Sequence, residues 1–105
     1  MPEKLNSMFV RCVFLVLIFV TNSSNAADTI KGGALYAVHC ADCHGRTGIS
    51  VLPFAPNFAQ NESLMQPDSL LLIAISKGSN AMPSYQGILG ENEILDVIAF
   101  LRTLN

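Results

Sequence analysis

Two cysteines and a histidine stand together in the order Cys40-Ala41-Asp42-Cys43-His44. Cysteines three residues apart on a helical turn lie on one face, so both thiols can reach the same edge of a flat ligand. A histidine directly after them can present a neutral imidazole nitrogen to a metal ion. This order is typical of the attachment site of a c-type haem. We therefore predict one haem covalently bound through Cys40 and Cys43, with His44 as an axial ligand of its iron.

Two other kinds of site use cysteines at this spacing, and both fit the chain less well. A thioredoxin-like redox pair follows a strand in a βαβ unit, whereas the chain after residue 26 is short and mostly helical in pattern. A structural zinc site needs four ligands, and outside the cluster this part of the chain offers only His39 as a further histidine or cysteine. Covalent haem attachment is therefore the favoured interpretation.

The N-terminal residues have the layout of a secretory signal peptide. Lys4 and Arg11 precede an apolar run over residues 12–20, and a polar segment then leads to the small residue Ala26. The run is too short to span a bilayer, and the small-residue pattern indicates cleavage after Ala26 or one residue later. We predict a signal peptide over residues 1–26, with an uncleaved membrane anchor as the alternative.

Cleavage would leave residues 27–105 as one small domain, exported to the periplasm of a Gram-negative bacterium. Cys12 would leave with the signal, so Cys40 and Cys43 would be the only cysteines of the mature chain. That chain carries four positive and seven negative side chains, an acidic balance that disfavours a nucleic-acid-binding surface. About 80 residues are close to the lower limit for a self-sufficient hydrophobic core, and a haem would supply additional apolar surface.

Three segments have the composition and periodicity of helices that could position the haem. They run over residues 28–40, 68–78 and 91–104. Asp28 or Thr29 is expected to cap the first helix, and Asp68 or Ser69 the second. In the third, apolar residues recur at i, i+3, i+4 and i+7, as expected for a helix with one buried face. These helices predict an all-α fold.

Particular faces of these helices are expected to be buried. Gly32 and Tyr36 share a face of the first helix, where the glycine would permit close approach of another helix and Tyr36 would be an ordinary core residue. Phe100 of the last helix is expected to pack against that face. The second helix has a wide apolar face that we expect to lie against the haem or a neighbouring helix. Its stripe consists of Leu70, Ile73 and Ala74, and Leu71, Leu72 and Ile75 broaden it.

Two loops are expected to complete the haem site. The apolar loop over residues 51–58 contains Pro53 and Pro56, which prevent a regular helix, and the Pro56 carbonyl is expected to accept a hydrogen bond from the second ring nitrogen of His44. A later loop contains Met82, whose thioether is predicted to bind the sixth iron position. Met65 is the competing methionine, and an open or water-bound iron is the other alternative.

Taken together, these features resemble class I cytochrome c over nearly the whole region after the signal. The cysteine–histidine cluster matches that family's attachment motif, and the order of the other parts matches as well. The further matching residues are the first-helix pair Gly32 and Tyr36, the proline segment Pro56-Asn57, the axial methionine loop Met82-Pro83 and the C-terminal helix with Phe100. The resemblance implies three to four helices packed around one haem c, as in the small mono-haem cytochromes of the bacterial periplasm.

The resemblance also implies a one-electron carrier rather than an enzyme. Histidine and methionine ligation gives a comparatively high reduction potential. The expected partners are redox proteins such as a nitrite reductase, an oxidase or a dehydrogenase, which a monomeric carrier would meet briefly through a small surface. The alternatives are an accessory factor in the assembly of a periplasmic redox enzyme, and a sensor with an open sixth ligand position.

Overall fold

The computed structural model describes residues 2–18 and 26–105, and within these ranges the regular structure is helical. The helices are α1 Pro2–Ile18, α2 Thr29–His39, α3 Ala41–His44, the 3₁₀ helix Phe58–Gln60, α4 Asp68–Lys77 and α5 Glu91–Leu101. Over the same ranges, strand-like pairing is confined to the isolated bridges Ser79–Met82 and Gln86–Leu89. The predicted all-α fold is confirmed, with α2 to α5 in the predicted haem-binding domain.

Helix α1 covers most of the predicted signal peptide, and its described apolar side chains such as Phe9 and Val13 are exposed. Among the described residues, no helix combines the length and apolar character that a bilayer crossing requires. Residues 19–25, which hold the end of the apolar run and most of the predicted cleavage pattern, lie outside the described residues. The division of the chain at Ala26 therefore stays a prediction.

Helices α2 and α5 pack against each other at Gly32, as the sequence predicted. A Cβ atom at this position would overlap the backbone carbonyl of Asp96 and lie 2.9 Å from the nitrogen of Val97. One turn further along α2, the rings of Tyr36 and Phe100 meet with their centroids 5.2 Å apart. Tyr36 is only 1% exposed. The glycine is therefore required by the close approach of two backbones.

The start of α2 is tied to α5 by a second set of contacts. The carboxylate of Asp28 accepts hydrogen bonds from the backbone N–H groups of Ile30 and Lys31, both at 3.0 Å, which confirms Asp28 as the helix cap. The N–H of Asp28 in turn donates to the buried carboxylate of Asp96 at 2.7 Å. Sequence reasoning did not find this role for Asp96, because the contact joins positions far apart in the chain.

The hydrophobic core lies mainly between α5, α2 and α4. Its buried apolar members are Tyr36, Ala41, Phe58, Leu64, Leu71, Ile75, Tyr85, Leu89, Ile94, Val97, Ile98 and Leu101. Within α4 the buried residues are Leu71 and Ile75, whereas Leu70 and Ile73 are each 50% exposed. The predicted wide face is therefore buried at Leu71 and Ile75, whereas burial of Leu70 and Ile73 against haem stays a prediction.

The N-terminus of α4 differs from the sequence prediction. Pro67 occupies the cap position and no side chain caps the helix, so neither Asp68 nor Ser69 is the cap. Asp68 instead accepts hydrogen bonds from the guanidinium of Arg102 at 2.6 and 3.0 Å. The same guanidinium donates to the carbonyls of Leu64 and Gln66 at 2.6 and 2.8 Å. Arg102 thus fastens the segment before α4 to the end of α5.

We expect Arg102→Gln to lower the free energy of unfolding of the haem-loaded protein by about 1–2 kcal/mol, because charge-assisted bonds to two backbone carbonyls are lost. Asp68→Asn is the matched control. It removes only the exposed ion pair and should cost less than ~0.5 kcal/mol. Guanidinium unfolding curves measure both values. Equal losses in the two variants would show that the ion pair, and not the carbonyl contacts, carries the stabilisation.

Candidate haem site

Cys40 and Cys43 lie at the junction of α2 and α3. Cys40 ends α2, and its carbonyl accepts the N–H of Cys43 at 3.2 Å and of His44 at 2.9 Å, which closes one helical turn. Both thiols are free, with Cys40 half-buried and Cys43 exposed. Burial, together with the charge of Cys43, raises the pKa of the Cys40 thiol to about 11. The segment therefore presents two free thiols on one turn, as the sequence predicted.

His44 is held inside the protein at the end of α3. Its imidazole is 8% exposed and stacks on Phe58, with the ring centroids 4.7 Å apart. Burial lowers the pKa of His44, while the nearby Pro56 carbonyl acts in the opposite direction. The neutral ring, which is the form that binds a metal, is thereby favoured. The Pro56 carbonyl thus lies beside His44, but Nδ1 is buried without a hydrogen bond of normal geometry.

The apolar loop that contains Pro56 is attached to the same turn. The N–H of Val51 donates to the Cys43 carbonyl at 3.0 Å, and the N–H of Phe58 donates to the Gly48 carbonyl at 2.9 Å. These bonds fix the position of Phe58, whose buried ring stacks on the imidazole of His44. Along this loop Val51 and Phe54 remain 67% and 78% exposed, so the loop keeps apolar surface that a flat apolar ligand could cover.

Met82 lies in a tight loop that follows α4. Gly78 ends α4 with a φ of +69°, and Ser79 and Met82 then exchange backbone hydrogen bonds of 3.0 and 2.9 Å. The half-buried Met82 side chain packs against the same core cluster as Cys40. Met65, the competing methionine, is 88% exposed. A thioether supplied from a fixed loop suits a metal ligand, and this supports Met82 over Met65.

Known proteins match the chain across this whole region. Residues 27–101 match the model of the family described as cytochrome C oxidase, cbb3-type, subunit III. A "cytochrome c6-like" protein of Nostoc sp. (strain PCC 7120 / SAG 25.82 / UTEX 2576) is 34% identical over 101 residues, which cover 89% of each chain. Cytochrome c6 of Thermostichus vulcanus is 30% identical over 96 residues, 86% of this chain and 84% of the relative. The chain belongs to the class I c-type cytochromes.

Membership of this family confirms the predicted cofactor and activity. This cytochrome binds one covalently attached haem c and carries electrons rather than catalysing a reaction. The described residues fit such a group in three respects. Two free thiols stand on one turn, the buried imidazole of His44 directly follows them in the chain, and the loop after His44 exposes apolar side chains.

Two tyrosines of the cytochrome have roles that sequence reasoning missed. The hydroxyl of Tyr36, predicted to be only a packing residue, donates to the carbonyl of Gly45 at 2.6 Å. The hydroxyl of Tyr85 donates to the carbonyl of His39, also at 2.6 Å. These two bonds hold the residues directly before Cys40 and directly after His44. The hint in the sequence was the tyrosine type itself, since a buried tyrosine hydroxyl needs a hydrogen-bond partner.

We expect Gly78→Ala to disturb the Met82 loop. Its positive φ with extended ψ is a conformation almost restricted to glycine, and a Cβ atom would lie 2.6 Å from the Met82 carbonyl oxygen and the Pro83 carbonyl carbon. Gly87→Ala is the matched control, because Gly87 also has a positive φ but no atom within 4 Å of such a Cβ. Gly78→Ala should cost about 3 kcal/mol in free energy of unfolding, against ~1 kcal/mol for Gly87→Ala. Denaturant unfolding of the haem-loaded variants measures this difference, and equal costs would contradict the steric argument.

Proposed function

We propose that this chain is an exported one-electron carrier in which Cys40 and Cys43 form thioethers with a single haem c, while His44 and Met82 bind its iron. The observation that carries the assignment is the folded cysteine–histidine turn within a region matched to a cytochrome family. The buried, unpartnered Nδ1 of His44 supports the Pro56 carbonyl as the acceptor that orients this ring once iron is bound. Such an acceptor normally accompanies a histidine ligand.

The two proposed iron ligands come from different segments of the chain. When bound, haem c supplies an iron that exists in two oxidation states. His44, at the end of α3, and Met82, in the loop after α4, would hold that iron. Because these ligands come from segments fixed by hydrogen bonds, little rearrangement need accompany the change of charge. A thioether opposite an imidazole gives a comparatively high potential, which suits a donor to a strong oxidant.

The proposal includes export through the predicted signal peptide, and the start of the family match at residue 27 supports cleavage after Ala26. Covalent attachment is tested by the intact mass and the pyridine haemochrome spectrum of the secreted protein. We expect one haem per chain on residues 27–105. Cys40→Ala and Cys43→Ala should each lose a thioether, whereas Cys12→Ala, in the predicted signal peptide, should not change haem content. A haem-free secreted chain, or a requirement for Cys12, would contradict the proposal.

We propose a terminal oxidase as the electron acceptor, in the periplasm of a Gram-negative bacterium, with the carrier acting as a monomer. The name of the matching family, which is that of an oxidase subunit, supports this choice. The experiment compares oxidation of the reduced cytochrome by membranes that contain a cbb3-type oxidase with oxidation by a purified nitrite reductase. Faster oxidation by the oxidase membranes is expected, and faster oxidation by the nitrite reductase would overturn the choice of partner. Tight binding to either enzyme without oxidation would favour an accessory role.

A further inference from the structure

Tyr85 connects two segments that are far apart in the chain. Its hydroxyl donates to the His39 carbonyl at 2.6 Å across 46 positions. Its ring is 8% exposed and meets the ring of His39 edge-on, with centroids 5.8 Å apart and an interplanar angle of 80°. The hydrogen bond is therefore made by a side chain that has little freedom to move elsewhere.

Each end of this bond lies beside a segment that holds a proposed haem ligand. His39 directly precedes Cys40, and Tyr85 follows Met82 by three residues. The backbone around Tyr85 is also fastened to α4, because the hydroxyl of Ser84 donates to the Ser76 carbonyl at 2.6 Å. That hydrogen bond helps to fix the Met82 loop relative to α4. Tyr85 joins this loop directly, through its side chain, to residues 39–45, which contain both cysteines and His44 and are called the attachment segment below.

We propose that Tyr85 is a positioning residue whose hydroxyl, bonded to the His39 carbonyl, holds the Met82 loop against the attachment segment and so limits the release of Met82 from iron. The proposal rests on the assignment of Met82 as the sixth ligand. It concerns the ease with which the sixth position opens to an external small ligand. The apparent affinity for such a ligand equals its intrinsic affinity multiplied by the fraction of molecules in which Met82 is released.

The environment of Tyr85 keeps its hydroxyl a donor. Burial raises the pKa of Tyr85. The phenol therefore stays protonated throughout the neutral range, so the bond to His39 persists there. The bond to the His39 carbonyl is partly buried, so loss of the donor would cost more than the loss of a fully exposed hydrogen bond.

Tyr36 provides a matched control within the same site. Its hydroxyl also donates at 2.6 Å, to the Gly45 carbonyl at the other end of the attachment segment. Tyr36 belongs to α2 and so does not connect that segment to the Met82 loop. Tyr36→Phe therefore removes a comparable bond to a backbone carbonyl but leaves the proposed connection intact.

The test is a titration of the ferric haem-loaded protein with imidazole, followed optically at neutral pH. Tyr85→Phe should bind imidazole about three- to tenfold more tightly than the wild type, the effect of one lost hydrogen bond. Tyr36→Phe should remain within about twofold of the wild type, even where it unfolds at a lower guanidinium concentration. An unchanged affinity in Tyr85→Phe, or equal increases in both variants, would overturn the proposal.

Met82→Ala separates this proposal from the ligand assignment on which it rests. If Met82 is the ligand, Met82→Ala should bind imidazole far more tightly than any tyrosine variant. Tight binding there with no change in Tyr85→Phe would refute only the role of Tyr85. Wild-type affinity in Met82→Ala would refute the ligand assignment and the proposal together.

A second variant covers the case in which Tyr85→Phe yields no haem-loaded protein. The chain contains two tyrosines, so growth of the Tyr36→Phe variant on 3-fluorotyrosine places the fluorinated side chain at position 85 alone. The more acidic phenol is a stronger donor, so imidazole affinity should fall below that of the unlabelled Tyr36→Phe protein. An unchanged or higher affinity would count against the proposal.

Discussion

Replacing Met82 by alanine should lower the reduction potential of this cytochrome by about 0.2 V, within the range of ~0.8 V that axial ligands cover. A thioether opposite imidazole raises the potential of haem iron. Alanine provides no ligand atom, so water or another weak ligand would take the position. A redox titration measures the potential. Electron paramagnetic resonance of the ferric protein should show a low-spin signal in the wild type and a high-spin signal in Met82→Ala.

Met65→Ala is the control for this experiment. Met65 is 88% exposed in the loop before α4, so its removal should leave both the potential and the spin state unchanged. If Met65→Ala lowered the potential and Met82→Ala did not, the sixth ligand would be Met65. A high-spin signal in the wild-type protein itself would favour the open-site sensor over the carrier.

The sequence was most informative where function or local geometry limits the choice of residue. The cysteine–histidine turn was predictable because haem attachment needs two thiols on one face and an imidazole next to them. The cap at Asp28 was predictable because its carboxylate bonds to N–H groups two and three residues away. Gly32 was predictable because a glycine within a helix is unfavourable unless another backbone must approach it. Each of these inferences needed only neighbouring residues and a known chemical requirement.

The sequence was less informative where a side chain acts over a long distance along the chain. Arg102 bonds to carbonyls 36 and 38 positions away, and Tyr85 to one 46 positions away. Asp68 looked like a helix cap, yet its carboxylate faces Arg102 because α5 ends beside it. Every residue carries a backbone carbonyl, so the amino-acid sequence does not indicate which carbonyl accepts a hydrogen bond from a given side chain.

The side of α4 that faces the core was also ambiguous for a physical reason. Apolar residues occupy most of this helix, so several stripes fit a helical period equally well. Packing on α5 selected Leu71 and Ile75 and left Leu70 and Ile73 half-exposed. Such a helix can serve the protein core on one side and an apolar cofactor on another. The sequence alone cannot assign the two sides.

Replacing Gly32 by alanine should destabilise the haem-loaded protein by about 3 kcal/mol, which corresponds to a fall in melting temperature of roughly 10–20 °C for a domain of this size. The added Cβ atom would overlap the carbonyl group of Asp96. A backbone carbonyl cannot avoid this overlap by changing rotamer, as a side chain could. Helices α2 and α5 would have to separate, which would also strain the bond between the Asp28 N–H and the Asp96 carboxylate. Thermal unfolding followed by circular dichroism measures the loss.

Gly33→Ala is a close control because it adds the same methyl group to the next residue of the same helix. Both substitutions gain up to ~1 kcal/mol of helix propensity. At Gly33 the added Cβ atom meets only the ring of Phe100, at 3.0 Å, and a partly exposed side chain can shift. We expect Gly33→Ala to change the free energy of unfolding by less than ~1 kcal/mol in either direction. Similar losses at the two positions would mean that the interface tolerates no added volume anywhere, and that backbone contact at Gly32 has no special role in holding α2 against α5.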